Sequence, residues 1–206
     1  MKSGRKVVKR AGEKTWTDYL DRRPIIIALV GPNGAGKTTF FEAHLKSCGL
    51  RFLNADVVAR ELDADAYAAA RIVTALREEL VRQRESFVFE TVFSDPVGDK
   101  LAFLKQAVQS GYAVALCFIG IADAETSEQR VAMRVSQGGH DVPTDKLIAR
   151  FPRTLANLAR AIRELPCVLV FDNNDMRTPF RRVAVFENGK STLAAEPVPV
   201  WLSPLL

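Results

Sequence analysis

At 206 residues, 48% of them hydrophobic and 26% charged, the chain is long enough to bury a sizeable core and suits a single globular domain. The longest wholly apolar run near its start, residues 25–30, is far too short to cross a bilayer, and no apolar segment follows the basic N-terminus; we expect neither a membrane span nor a secretory leader, and a cytoplasmic location. The formal net charge of +5 belongs to residues 1–23, which hold eight basic and three acidic residues, so the remainder is neutral and gives no reason to expect nucleic acid as its partner.

Residues 1–23 read as a basic arm with Lys2, Arg5, Lys6, Lys9, Arg10 and Lys14, followed by Trp16, Tyr19 and Leu20 at helix-compatible spacing. The expectation is a solvated tail ending in a short helix docked on the domain of residues 24–206, with a contact for nucleic acid or an acidic partner as the alternative.

That domain begins with an apolar, β-branched strand, Ile25 to Val30, which runs into Gly31-Pro32-Asn33-Gly34-Ala35-Gly36-Lys37-Thr38 and then a helix to about Cys48. The octapeptide fits the phosphate-loop pattern G-x-x-x-x-G-K-[ST], in the strand-to-helix context the motif requires. Glycines let successive N–H groups turn inward at phosphate oxygens, and the helix adds the partial charge of its N-terminus. Lys37 is expected at the β- and γ-phosphates of ATP or GTP and the Thr38 hydroxyl on Mg2+, with Thr39 beside it.

A short strand at Phe52 and Leu53 ends in Asn54-Ala55-Asp56, and Ala66 to Gln83 is helical with Ile72, Leu76 and Leu80 on one stripe. Phe87 to Glu90 reads as a strand. Asp99 to Gln109 is a helix with Leu101, Leu104 and Val108 aligned, stopped at Gly111. Ala113 to Ile119 is continuously apolar and therefore buried on both faces. Helices from Glu125 to Val135 and Thr144 to Arg163 flank a break at residues 137–143; the second aligns Leu147, Phe151, Leu155 and Leu158, and Pro152 predicts a kink or joint in it. Val168 to Phe171 ends in Asp172-Asn173-Asn174-Asp175, and a hairpin over Val183 to Phe186 and Ser191 to Leu193 turns at Asn188-Gly189. Cys48, Cys117 and Cys167 lack metal spacing and read as reduced thiols. The alternation predicts an α/β fold with a five-stranded parallel sheet, order 2-3-1-4-5, helices on both faces and a helical lid.

Ligands of such a sheet lie beyond the carboxyl ends of its strands. Asp56 stands there as the base for an acceptor hydroxyl, the alternative being an N-cap of the next turn. Glu90 closes an apolar strand in the manner of a Walker B element, placed to hold a Mg2+-bound water or the substrate, with Thr91 as a neighbouring donor. Arg130 and Arg134 share a helix face, and Arg150 and Arg153 follow beyond the Gly-Gly-His loop; as a lid they would neutralise charge on a transferred phosphoryl group. His140 is a candidate substrate contact. Asn173 is a candidate for the nucleobase, although Asp-Asn-Asn-Asp is equally a turn signal.

This ordered series resembles the zeta toxin family of P-loop kinases, especially its small chromosomal members, also labelled predicted ABC-type ATPases. The phosphate loop, Phe52-Leu53-Asn54-Ala55-Asp56, Phe89-Glu90-Thr91, residues 138–143 and Asp172-Asn173 carry the likeness. The resemblance implies transfer of the γ-phosphoryl group of ATP or GTP to the 3′-hydroxyl of a UDP-N-acetyl amino sugar, with Asp56 as base, Lys37 and Thr38 at phosphate and Mg2+, lid arginines stabilising the transition state, and a small antitoxin as partner. The rivals are another small-molecule kinase, such as an antibiotic or nucleoside phosphotransferase, and a nucleotide-dependent switch or nucleic-acid-associated ATPase.

Overall fold

Six consecutive apolar residues form the first strand, β1 (Ile25–Val30), and all six are buried. The computed structural model describes residues 19–138 and 141–206, so the proposed arm up to residue 18 and the candidate His140 lie outside the described residues. β1 is followed by α1 (Lys37–Phe40), β2 (Arg51–Leu53), α2 (Ala55–Glu61), α3 (Ala66–Arg82), β3 (Phe87–Thr91), α4 (Asp99–Gln109), β4 (Ala113–Gly120), α5 (Ala124–Ser136), α6 (Thr144–Glu164), β5 (Cys167–Asp172), β6 (Arg181–Glu187) and β7 (Lys190–Ala194). β1 lies between β3 and β4, and the parallel part of the sheet runs β2-β3-β1-β4-β5, the expected order.

The sheet does not stop there. β6 pairs antiparallel with β5 and β7 with β6, giving seven strands in a mixed sheet rather than five in a parallel one. The hairpin expected as a terminal appendage is instead a continuation. Its buried Val183–Phe186 segment covers the outer edge of β5, whose backbone groups would otherwise stand unpaired.

Alternation divides the core. Ile26, Ala28 and Val30 point to one face with Phe87, Phe89, Leu116, Phe118 and Val170, where Leu101 and Leu104 of α4 and Leu158 and Ile162 of α6 pack. Ile25, Ile27 and Leu29 point to the other face with Val88, Ile119 and Leu169, covered by Phe40, Phe41 and Phe151. Cys117 and Cys167 are buried there as free thiols; burial raises both, Cys167 to about 12, while Cys48 is exposed.

Three helices depart from expectation. The segment after the phosphate loop is α-helical only to Phe40, then widens into a π-turn over Phe41–Leu45 and tightens over Lys46–Cys48. The widening accompanies a stack of Phe41 on Phe52, ring centroids 3.8 Å apart. α6, where Pro152 predicts a kink or joint, is assigned as one helix through that residue, with buried side chains on both sides of it. On α3 the inward stripe is Ala69, Val73, Arg77 and Leu80, whereas Leu76 is exposed.

Arg77 escapes an apolar stripe search because its charge hides its position. Its guanidinium carbon lies 4.9 Å from the Phe89 ring centre and 5.1 Å from that of Phe103, and it donates to Thr74 Oγ1 at 3.0 Å. Burial lowers its pKa, opposed by Glu78 and Asp95. Ring faces return part of the desolvation cost of the cation. Arg77→Met, which keeps the packing volume without the charge, should therefore stay within about 1 kcal/mol of the parent or exceed it, whereas Arg77→Ala should lose about 2 kcal/mol or more, as urea unfolding would measure.

Candidate active site

The phosphate loop is the turn from β1 into α1, and its shape depends on contacts with three other elements. Gly31 (φ 147°) lies against β4 so closely that an added Cβ would stand 2.2 Å from the carbonyl oxygen of Ile119. Gly36 (φ 87°) is left-handed, and a Cβ there would meet the Asn173 amide nitrogen at 2.7 Å. Both positions require glycine.

Two side chains hold the loop carbonyls. Ser127 Oγ, on α5, donates to the carbonyl of Asn33 at 2.8 Å, and Asn173 Nδ2, just past β5, donates to that of Ala35 at 2.9 Å. In a planar trans peptide the N–H lies opposite the carbonyl. With those two oxygens tied outward, the N–H groups of Gly34 and Gly36 face the other way, toward the position of a phosphate.

The expected readings of Thr38, Lys37 and Glu90 meet at one carboxylate. Glu90 is the penultimate residue of β3, opposite Leu29 of β1, and this register brings it to the first turn of α1. Glu90 Oε2 accepts from Thr38 Oγ1 at 2.8 Å and from Asn54 Nδ2 at 2.9 Å, while Lys37 Nζ stands 3.8 Å from Oε1. Lys37 is buried and also donates to the carbonyl of Pro32 at 3.0 Å. Burial lowers its pKa, Glu90 and Asp56 act to raise it, and Arg134 acts to lower it further. Thr38, not the exposed Thr39, is the hydroxyl directed at the carboxylate.

Asp56 is exposed in the first turn of α2. It is not the cap of that helix. Asn54 Oδ1 accepts from the backbone N–H of Asp56 (2.8 Å) and Val57 (3.4 Å), so the capping alternative passes to Asn54 and leaves the Asp56 carboxylate unused by it. Thr91 is half-buried, paired in register with Val30.

The lid arginines separate into different surroundings. Arg134 bears on Lys37, whereas Arg130 turns to the loop after β5, donating to the carbonyl of Asn174 at 3.2 Å beside Met176. Burial lowers the Arg130 pKa against the opposing charge of Asp172. Arg150 is half-buried on α6 and Arg153 is exposed. α5 and α6 are joined by Thr144 Oγ1 donating to Glu128 Oε1 at 2.7 Å.

Asn173, expected at the nucleobase, turns its side chain to the phosphate loop: its amide donates to the carbonyl of Ala35 and its oxygen accepts from the Phe180 N–H at 3.3 Å. Asn54, Ser127 and Trp201 were not singled out from the sequence. Asn54 carried a signal, an Asn one residue ahead of a helix; Ser127 and Trp201 act through contacts distant in sequence.

A hydroxyl beside a carboxylate is a hard-oxygen donor set, and Thr38 with Glu90 fits Mg2+, held directly or through water. Among the described residues no group of three or more His, Cys, Asp or Glu is placed to form a metal cage, and Mg2+ bound with phosphates does not need one.

Similar proteins include an uncharacterized protein of Haemophilus influenzae, 28% identical over 139 residues that make up 61% of this chain and 91% of that one. Among solved structures, a complex of AvrRxo1-ORF1 and AvrRxo1-ORF2 with ATP superposes with a TM-score of 0.66 at 18% identity, over 85% of this chain and 62% of that one. The PezAT chromosomal toxin-antitoxin system of Streptococcus pneumoniae superposes with a TM-score of 0.58 at 19% identity, over 84% and 75%. Residues 26–169, from β1 into β5, match the family described as an AAA domain, and with its phosphate loop set in an α/β P-loop kinase fold the chain belongs to that family.

Proposed function

We propose that this protein is a kinase that moves the γ-phosphoryl group of ATP, or of GTP, to a hydroxyl of a small molecule. The observation that carries the reading is the convergence of the Thr38 hydroxyl, the Lys37 ammonium and the Asn54 amide on Glu90.

Lys37 exchanges its bond to Pro32 for phosphate oxygens, and the loop N–H groups hold the remaining phosphate charge. Thr38 and Glu90 would hold Mg2+, which supplies neutralising charge at the β- and γ-oxygens. Asp56 accepts the proton of the acceptor hydroxyl as the bond to phosphorus forms. Arg134 faces the growing negative charge from the lid, and closure of α5 and α6 keeps water from competing with the acceptor.

For the acceptor we infer a UDP-N-acetyl amino sugar. Support comes from the series running from the phosphate loop through Asp56 and Glu90 to residues 138–143, and from the fold shared with the PezAT system. The same likeness supports an antitoxin-type protein partner, as do the two-protein assemblies named for PezAT and AvrRxo1. A nucleoside or antibiotic phosphotransferase would use the same base and loop with a different acceptor pocket.

Phosphorus NMR of protein with ATP, Mg2+ and UDP-N-acetylglucosamine should show a new phosphomonoester signal. Asp56→Asn should slow its formation by about 10²- to 10⁴-fold while ATP affinity changes by no more than about three-fold. Equal formation in both proteins would remove Asp56 from the reaction, and inorganic phosphate alone would remove the sugar.

A second expectation follows from Lys37. Phosphate favours its charged form, whereas burial in the free protein disfavours it, so bound nucleotide raises a pKa that the fold lowers from 10.5. ATP affinity should fall as pH rises into the alkaline range before free lysine would titrate, with net proton uptake on binding. Calorimetry in two buffers of different ionisation enthalpy measures that uptake; proton release on the alkaline side would contradict it.

A further inference from the structure

Near its C-terminal end the chain makes one deep insertion. Val200 is 90% exposed, yet the next residue, Trp201, is 8% exposed. Its indole occupies the space left by Gly120 at the end of β4, where an added Cβ would lie 2.1 Å from the ring. The indole N–H is a donor only, and it meets Asp172 Oδ1 at 2.9 Å in a buried contact. Asp172 pairs in register with Gly120 at the ends of β5 and β4.

These strand ends border the nucleotide side of the site. Ile119 touches Gly31, the Asn173 N–H donates to the Gly120 carbonyl at 2.9 Å, and the Asn173 side chain holds Ala35. Asp172 is also the acidic charge that acts on Arg130, whose guanidinium reaches the carbonyl of Asn174.

We propose that Trp201 is a positioning residue for nucleotide binding: its N–H holds the Asp172 carboxylate of β5 beside Gly120 and so fixes the Asp172-Asn173 backbone from which the Asn173 side chain braces the phosphate loop. The inference rests on the nucleotide-binding part of the kinase reading. Without the indole N–H, the buried carboxylate loses its donor and shifts in search of another. The adjoining Asp172-Asn173 backbone follows, loosening the brace on Ala35.

Trp201→Phe fills most of the ring space and removes only the donor. It should weaken ATP binding about five-fold, the loss of roughly one hydrogen bond, with little change in Tm. Adding Asp172→Asn should restore affinity to within about two-fold of wild type, because a neutral amide leaves no buried charge without its donor. A merely structural tryptophan predicts the opposite, a further loss in the double variant. A spectroscopic arm uses Trp16→Phe, which leaves Trp201 as the sole tryptophan: its emission should change saturably with ATP and Mg2+, and this test stands if Trp201→Phe does not fold. Unchanged emission, or Trp201→Phe binding ATP as wild type does, overturns the positioning role. If wild type binds no ATP by calorimetry, the nucleotide reading itself fails, and the positioning role with it.

Discussion

The outward tethering of two peptide carbonyls sets the terms for the rest of the site. A glycine-rich loop has many accessible shapes, and a phosphate pocket needs the one in which its N–H groups converge. Ser127 holds the Asn33 carbonyl from α5 and Asn173 holds the Ala35 carbonyl from the end of β5, across 94 and 138 residues of sequence. Each bond contributes only about 1 kcal/mol net to stability. Their larger effect is preorganisation, because the loop dipoles need not be reoriented when charge arrives. The same two bonds fasten the lid's first helix and the last parallel strand to β1, so the nucleotide side is assembled by the loop it serves.

Glu90 plays the corresponding part at the end of the loop that carries Lys37 and Thr38. A carboxylate this enclosed is costly unless its oxygens are satisfied, and Thr38, Asn54 and Lys37 share that task. Asn54 divides its own side chain: the oxygen caps α2 and the amide nitrogen donates to Glu90, which ties the helix bearing Asp56 to the strand bearing the carboxylate. The placement of Asp56 relative to Lys37 is thereby a result of helix capping as much as of chemistry.

Elements with one dominant signal were legible in the sequence. β1 and β4 are continuous apolar runs, α4 carries a clean stripe, and both its bounds and the central strand order follow from them. Local periodicity misleads where a buried residue is charged, as at Arg77, whose aromatic partners Phe89 and Phe103 lie on other elements. The hairpin was visible, but its pairing with β5 was not, because an antiparallel edge strand and a free hairpin carry the same alternation. At the site, Lys37, Thr38 and Glu90 were recoverable because motif and strand end coincide. Asn173, expected at the nucleobase, holds the phosphate loop: a polar residue after a strand does not reveal whether its amide faces a ligand or the protein's own backbone.

The helix α6 constrains how far the lid can act alone. Its C-terminal part is sewn into the core on the acceptor side, with Thr154 Oγ1 donating to the carbonyl of Val92 at 3.2 Å and Asn157 Nδ2 to those of Phe93 and Asp95 at 2.9 and 3.0 Å. These bonds fix the turn that follows Glu90 and Thr91, where buried Phe93 adopts a positive φ of 64°. Breaking them would strand buried polar groups, at a cost of about 1–3 kcal/mol each. Any displacement of the lid therefore has to be absorbed before Thr154, on the side of Pro152 that carries Arg150 and leads back to Arg134. Pro152 supplies no N–H to the turn before it, so the helix is least tightly bonded where that side begins. The part of α6 beyond Thr154 is thus tied to the turn that follows β3, and Pro152 separates it from the part that carries Arg150.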